Sequence, residues 1–453
     1  MKNDFGKGAV WKVILRQAIP LLLAQLVHLL YNVVDRIYLG HMADAGSLAL
    51  TGVGLIFPLT TLIAAVTNLF SSGGAPLFSI ARGAGEEDKA AKLLNQVTGG
   101  LLGSSVILFF ITFFFRKPIL FLFGASEASY VYADLYLRIY LFGTTATMLA
   151  TGLNGFINAQ GYPRIGMNTI AIGALINIVL DPVFIFWFHM GVAGAALATV
   201  ISQFVSCYYV IRFFLSSENR YRLDRKLMVP DPAMYREITG LGITGFVMQG
   251  TNSLVSIICN VTLRTFGGDL YVGIMTVLNS VRELLSLPAM SIPQGATPVL
   301  SYNYGAKQYS RIRQGIIFMS ASAFLYTLVA WILVLLYPRA MMSVFTGNTE
   351  MIETGTHALI LYFFGFVFMA LQMVGQNVFT SLKCRKRALF FSLFRKVIIV
   401  VPLTILLPQL GFGVDGVYLA EPVSNVLGGL ACYITMFITI FRRLPEDGTE
   451  CLL

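Results

Sequence analysis

Pro76-Leu77-Phe78-Ser79-Ile80-Ala81-Arg82-Gly83-Ala84 and Pro298-Val299-Leu300-Ser301-Tyr302-Asn303-Tyr304-Gly305-Ala306 are one passage written twice, 222 positions apart (298 − 76). The same offset carries Gly191-Val192-Ala193-Gly194 onto Gly413-Val414-Asp415-Gly416, and Leu197-Ala198 onto Leu419-Ala420. Between these marks the chain is apolar almost throughout, with 56% hydrophobic and 12% charged residues and a mean hydropathy of +0.74. A soluble chain of 453 residues could not hide that much apolar surface, so lipid must solvate much of it. Two tandem membrane bundles of common design point to a transporter that moves one half against the other.

The net charge of +10 would suggest nucleic-acid binding in a soluble protein. Here the basic residues fall in short loops between apolar runs, where membrane orientation accounts for them. Five cysteines (Cys207, Cys259, Cys384, Cys432 and Cys451) are scattered without CxxC or Cys/His spacing, which speaks against disulfides and structural zinc. The first apolar stretch is long enough to span and lacks a cleavage signature, so it reads as a retained helix.

Runs of roughly 20 apolar residues give about twelve expected transmembrane helices in an all-α integral membrane protein. They are 15–39, 48–72, 93–115, 134–158, 165–188 and 191–214, then 237–262, 270–292, 313–336, 355–382, 388–408 and 413–441. The expected organisation is an N-lobe over 1–215, a polar cytoplasmic linker over 216–236 and a C-lobe over 237–453. The linker carries Arg220, Arg222, Arg225 and Lys226 with the breaker Pro230-Asp231-Pro232. Basic residues concentrate on its side of the membrane, which puts both termini in the cytoplasm by the positive-inside rule. An even number of spans per half leaves two pseudo-symmetric six-helix bundles in the same orientation.

Chemistry is expected where ionisable groups sit deep in apolar spans, because each costs at least about 2.5–3.5 kcal/mol there. Asp35 lies in span one and Asp181 in span five, with Asn177 one turn earlier on the face of Asp181. Thr199 lies in span six beside the small-residue run Gly191–Ala196, which permits close helix contact. At 1.5 Å per residue, Asp35 is roughly 7 Å, and Asp181 and Thr199 roughly 12 Å, from the outer boundary. Two nearby carboxylates in low dielectric either hold a proton or neutralise a cation such as Na⁺. Pro20, fifteen residues before Asp35 (35 − 20), permits a bend in span one. Arg36 could pair with Asp35 or snorkel outward.

The second half offers Arg282, Glu283, Arg395, Lys396 and Glu421, the last at the repeat position of Thr199. Glu283 and Glu421 are expected either to contact a cationic substrate or to pair internally with Arg282 or Arg395. Arg395 and Lys396 are expected to snorkel toward the cytoplasmic end. No GxxxxGK[ST], HExxH, GxSxG or DDxxD pattern occurs, so the chain is read as a non-enzyme that does not hydrolyse ATP.

Tyr31-Asn32-Val33-Val34-Asp35, Gln294-Gly295-Ala296-Thr297-Pro298 with Tyr302-Asn303-Tyr304-Gly305-Ala306, and Gly416-Val417-Tyr418-Leu419-Ala420-Glu421-Pro422 resemble the multidrug and toxic compound extrusion (MATE) family, in its MepA-like bacterial branch. The resemblance implies a V-shaped pair of lobes and export of organic cations and drugs across the cytoplasmic membrane by alternating access. It implies H⁺ or Na⁺ as the coupling ion, no other cofactor, and a monomer whose partners are small organic cations and lipid. The family's coupling site maps onto Asp35, Asn177, Asp181 and Thr199, with a possible Na⁺ there. A span-four tyrosine maps onto Tyr136 or its rival Tyr140, and the bending proline onto Pro20. The competing reading is a lipid-linked oligosaccharide flippase of the same superfamily.

Overall fold

The computed structural model describes residues 3–40, 52–123, 125–216, 219–345 and 348–449, and every regular element among them is helical. That is what lipid demands, since a helix satisfies its backbone groups within itself. The first half holds α1 (Val10–Gly40), α2 (Phe57–Gly83), α3 (Glu87–Leu122), α4 (Glu127–Ala159), α5 (Pro163–Pro182) and α6 (Gly191–Leu215). The second holds α7 (Pro232–Gly267), α8 (Asp269–Gly305), α9 (Tyr309–Leu336), α10 (Pro338–Phe345), α11 (Thr349–Phe363), α12 (Phe366–Ser381), α13 (Arg385–Leu393), α14 (Val401–Leu407) and α15 (Gly413–Thr439). π-helical turns follow α5 (Val183–Trp187), α13 (Phe394–Val400) and α14 (Pro408–Phe412).

Among the described residues the twelve expected spans fall on helix, residues 48–51 of the second lying outside them, although nine helices meet length and hydropathy requirements outright. Spans eleven and twelve fall in one continuous stretch, Arg385–Arg443, while span ten is broken into α11 and α12 with a 42° bend at Phe364-Gly365. Helix α4 misses the hydropathy requirement because threonines, glycines and Asn154 dilute its apolar residues. Its start is fixed locally by a capping box, in which the Ser126 hydroxyl accepts from the Ser129 amide and the Ser129 hydroxyl accepts from the Ser126 amide.

The chain forms two compact units whose limits differ from the expected lobes at 215 and 237. Unit 1 comprises Met1–Asn3, Pro20–Arg82 and Glu86–Phe246; unit 2 comprises Asp4–Ile19, Gly83–Gly85 and Val247–Leu453. The start of α1 therefore belongs to unit 2 and the start of α7 to unit 1. Close backbone packing explains both assignments. In unit 1 a Cβ added to Gly73 would lie 2.0 Å from the Ile238 carbonyl oxygen, and one added to Gly242 would lie 1.7 Å from that of Leu69. In unit 2 a Cβ added to Gly295 would lie 2.7 Å from the Ala18 nitrogen. Gly73 and Gly295 are 222 positions apart (295 − 73), so the repeat dictates this contact in both units.

The backbone repeats more faithfully than the side chains. Positive φ recurs at the same offset in four pairs: Gly85 and Lys307, Gly161 and Lys383, His189 and Gly411, Gly191 and Gly413. Left-handed backbone disfavours residues with a Cβ, so these turns are demanded by the architecture rather than by local preference.

The polar stretch expected as a linker is strapped to α3 instead of looping freely. Asn95 donates to the Arg222 carbonyl and accepts from the Asp224 amide. Gln96 donates to the Leu227 and Val229 carbonyls and accepts from the Asp231 amide. Arg225–Met228 form a 3-10 turn, and Asp231 then caps α7 through the Ala233 and Met234 amides with Pro232 as first helical residue. The helix thus begins five residues before the expected 237 (237 − 232).

Candidate functional site

In unit 1 four helices converge on one pocket. Helix α5 carries Asn177 and Asp181 one turn apart, 1% and 0% exposed, and ends at Pro182. Proline supplies no N–H to the helical ladder, and the π-helical turn Val183–Trp187 follows directly. Helix α6 lies in backbone contact with that turn, since a Cβ on Gly194 would meet the Phe184 carbonyl carbon at 2.8 Å. This approach sets Thr199 beside Asn177. The Asn177 amide nitrogen stands 3.3 Å from Asp181 Oδ1 and 3.4 Å from Thr199 Oγ1, while the Thr199 hydroxyl donates to the Ala195 carbonyl at 2.9 Å.

Asp35 enters from α1, half-buried, and its carboxyl is an electrostatic neighbour of that of Asp181. Tyr31, one turn before Asp35, joins the same electrostatic cluster with Asp181 and Tyr140. From α4 both Tyr136 and Tyr140 are buried, their rings stacked at 5.9 Å. The Tyr136 side chain interacts with Thr199, and that of Tyr140 with Gln203. Asp181 Oδ2 and Asn177 Oδ1 receive no hydrogen bond from a nitrogen or hydroxyl donor among the described residues. Uncommitted buried acceptors are costly in isolation and are ready ligands for a cation. Such a donor set of carboxylates, an amide and hydroxyl oxygens suits a proton or a small hard cation.

The structure thus brings together Asp35, Asn177, Asp181, Thr199 and Tyr136, as well as Tyr140. Tyr31, quoted in the sequence only as part of the span-one motif, and Gln203 complete the cluster without having been named as site residues. Their signal was available: each stands one helical turn from a pocket residue, Tyr31 from Asp35 and Gln203 from Thr199. Pro20 sits within α1 at the point where the helix passes from unit 2 to unit 1. The Arg36 side chain lies outside the described residues.

Unit 2 holds a different arrangement. Glu421, 6% exposed on α15, accepts through Oε1 from Arg282 at 2.8 Å, Arg395 at 3.0 Å and Lys396 at 2.9 Å. Its Oε2 accepts from Lys396 at 3.1 Å, and Arg395 also donates to Asn425 at 2.6 Å. Both Arg395 and Lys396 belong to the π-helical turn Phe394–Val400. One expectation, the snorkelling of Lys396, is corrected here, and one of the two readings of Glu283, the internal ion pair, is not observed. Lys396 is 5% exposed and does not snorkel, because the buried carboxylate draws its ammonium inward. Glu283 is exposed, and among the described residues it makes no ion pair with Arg282 or Arg395. It follows Arg282 on α8, and adjacent helical residues point about 100° apart. Of the two readings for Glu421, the internal ion pair is the one observed.

A model of the MatE family matches residues 20–183 and 245–406, once in each half. The multidrug export protein MepA of Staphylococcus aureus (strain MSSA476) is 25% identical over 458 aligned positions, covering 99% of this chain and 98% of that protein. MepA of Staphylococcus haemolyticus (strain JCSC1435) is likewise 25% identical, with the same coverage. Among solved structures, an outward-facing multidrug resistance MATE family transporter of the MOP superfamily superposes with a TM-score of 0.89 at 21% identity, over 97% of this chain and 98% of the other. A MATE protein in its bent conformation gives 0.90 at 21% identity, over 96% of each chain. The repeated passage, the many apolar helical spans among the described residues and the paired family matches have one explanation: this chain is a multi-span membrane protein belonging to the MatE family.

Proposed function

We propose that the protein is a cation-coupled antiporter that exports organic cations and drugs by alternating access, driven by inward flow of H⁺ or Na⁺. The observation that carries this reading is the meeting of the Asp35 and Asp181 carboxyls in the unit 1 pocket. Two neighbouring carboxyl groups, one fully buried and one half-buried, cannot both stay charged cheaply. One cation, a proton or Na⁺, resolves the repulsion and ties α1 to α5. Asn177 and Thr199 hold the geometry from α5 and α6, and Pro20 gives α1 a point at which to bend when the pair is loaded or empty.

The names of the full-length relatives support drug export as the task. The basic loops support a bacterial cytoplasmic membrane protein with both termini inside. The flippase alternative gains no support. The three basic groups of unit 2 converge on Glu421, beside a cavity of about 50 Å³, far below the roughly 300–1,000 Å³ of a site for a large ligand.

The test is reconstitution into proteoliposomes with ethidium as probe, imposing a pH gradient or a Na⁺ gradient separately. One of the two is expected to drive ethidium movement against its own gradient. If neither moves any organic cation, the antiporter reading is wrong.

A further inference from the structure

We propose that unit 2 contains a binding site for a small monovalent anion, in the cavity between α7, α8, α15 and the π-helical turn Phe394–Val400. The cavity measures about 50 Å³, and Asn252, Asn279, Arg282, Tyr362, Lys396 and Glu421 are among its walls. Three basic groups, Arg282, Arg395 and Lys396, face the single carboxylate of Glu421. The two guanidiniums alone exceed that carboxylate by one positive charge, in a largely enclosed place where unpaired charge is expensive.

The hydrogen-bonding pattern fixes the sign of the missing partner. Glu421 receives three donors on one oxygen and one on the other, every one from a basic side chain, so its negative charge is already matched. Arg282 commits only Nη1 to Glu421 among the described residues, leaving other donors of its guanidinium toward the cavity it lines. The Tyr362 hydroxyl donates to Asn279 Oδ1, which leaves the NH₂ of that lining amide as its unspent donor. A wall made of guanidinium, ammonium and amide N–H donors is chemistry for an anion. The volume limits the occupant to a halide or a carboxylate end group, with a water molecule or two. A phosphorylated headgroup is excluded by size.

The site is separate from the Asp35 and Asp181 pocket, and its test needs no transport, so it stands or falls apart from the antiport reading. The purified full-length protein is heated in sodium bromide, in sodium acetate and in sodium gluconate, the bulky control, at constant ionic strength. Bromide is expected to raise the melting temperature saturably over gluconate. A matching rise in acetate identifies a carboxylate-accepting pocket, and its absence identifies a halide site. Arg282→Gln is expected to shift the half-saturating concentration at least tenfold, while Arg339→Gln, the same charge change at an exposed residue, leaves it in place. Should Arg282→Gln fail to fold, Arg282→Lys keeps the charge opposite Glu421 and removes the guanidinium fork, and must weaken bromide binding. A bromide response equal to gluconate in the wild type, or an unchanged response in the folded Arg282 variant, overturns the proposal.

Discussion

Asp35 and Asp181 show how far a single residue type can be trusted when read in a membrane setting. Each was conspicuous because an aspartate in an apolar run is expensive, and the two do meet. Replacing either with Asn is expected to lower coupled ethidium efflux by at least tenfold while leaving expression and insertion intact; full efflux from both variants would remove them from the mechanism. Glu421 makes the opposite case. Its position in span twelve was legible, yet its partners were not, because the sequence does not show which of several basic residues turn inward. Lys396 reads as a surface cation until the π-helical turn Phe394–Val400 is seen to point it at α15. Glu421→Gln strips the counter-charge from the buried Lys396 and the partly buried Arg282 and Arg395, for which a loss of up to about 3–5 kcal/mol is expected from comparable buried pairs. A detergent-solubilised melting curve measures it, and a variant as stable as the wild type would mean that these cations are compensated elsewhere.

At the scale of elements, spans are easily read and their ends are not. Hydrophobic runs located the long helices among the described residues, because a lipid-facing helix must be apolar along its length, but not the short α10. They could not show the break in span ten, or the early start of α7, which depends on the Asp231-Pro232 cap and on the Asn95-Gln96 clamp. Asn95 and Gln96 were discernible in principle as adjacent amides near the start of an apolar span, both fully buried. Each buried hydrogen-bonding group left without a partner costs about 1–3 kcal/mol. Asn95→Ala or Gln96→Ala should therefore raise tryptic cutting at Arg220, Arg222, Arg225 and Lys226 by about tenfold, as local opening of that strap becomes cheaper. An unchanged digestion rate would show that other contacts hold it. The cap also carries a pH signature. The Lys92 ammonium, with the Met234 and Ala233 amides, holds the Asp231 carboxyl below its ordinary 3.8. A depressed folded-state value means the cap's contribution is present above about 4 and is lost as pH falls through the lowered value. Amide exchange at Ala233 and Met234, corrected for its intrinsic pH dependence, should accelerate over that acid range in the wild type but not in Asp231→Asn.

For the molecule as a whole, the duplicated passage predicted a duplicated backbone. Four pairs of left-handed turns fulfil that expectation, including two in which lysine stands where the first half has glycine. What duplication concealed is that chemistry diverged on a preserved scaffold. Unit 1 gathers acids, amides and tyrosines; unit 2, at the position of Thr199, gathers bases around an acid. Duplication also hid where each unit draws its limits. Because Asp4–Ile19 completes unit 2 and Pro232–Phe246 completes unit 1, a cut at the midpoint of the chain orphans a helix segment from both cores. Fragments ending at 215 or beginning at 237, produced separately, should each come out of the membrane poorly folded and protease-sensitive. Made together in one cell, they can recover only by trading those segments back, so split-protein complementation should demand both pieces and fail when the first nineteen residues are deleted.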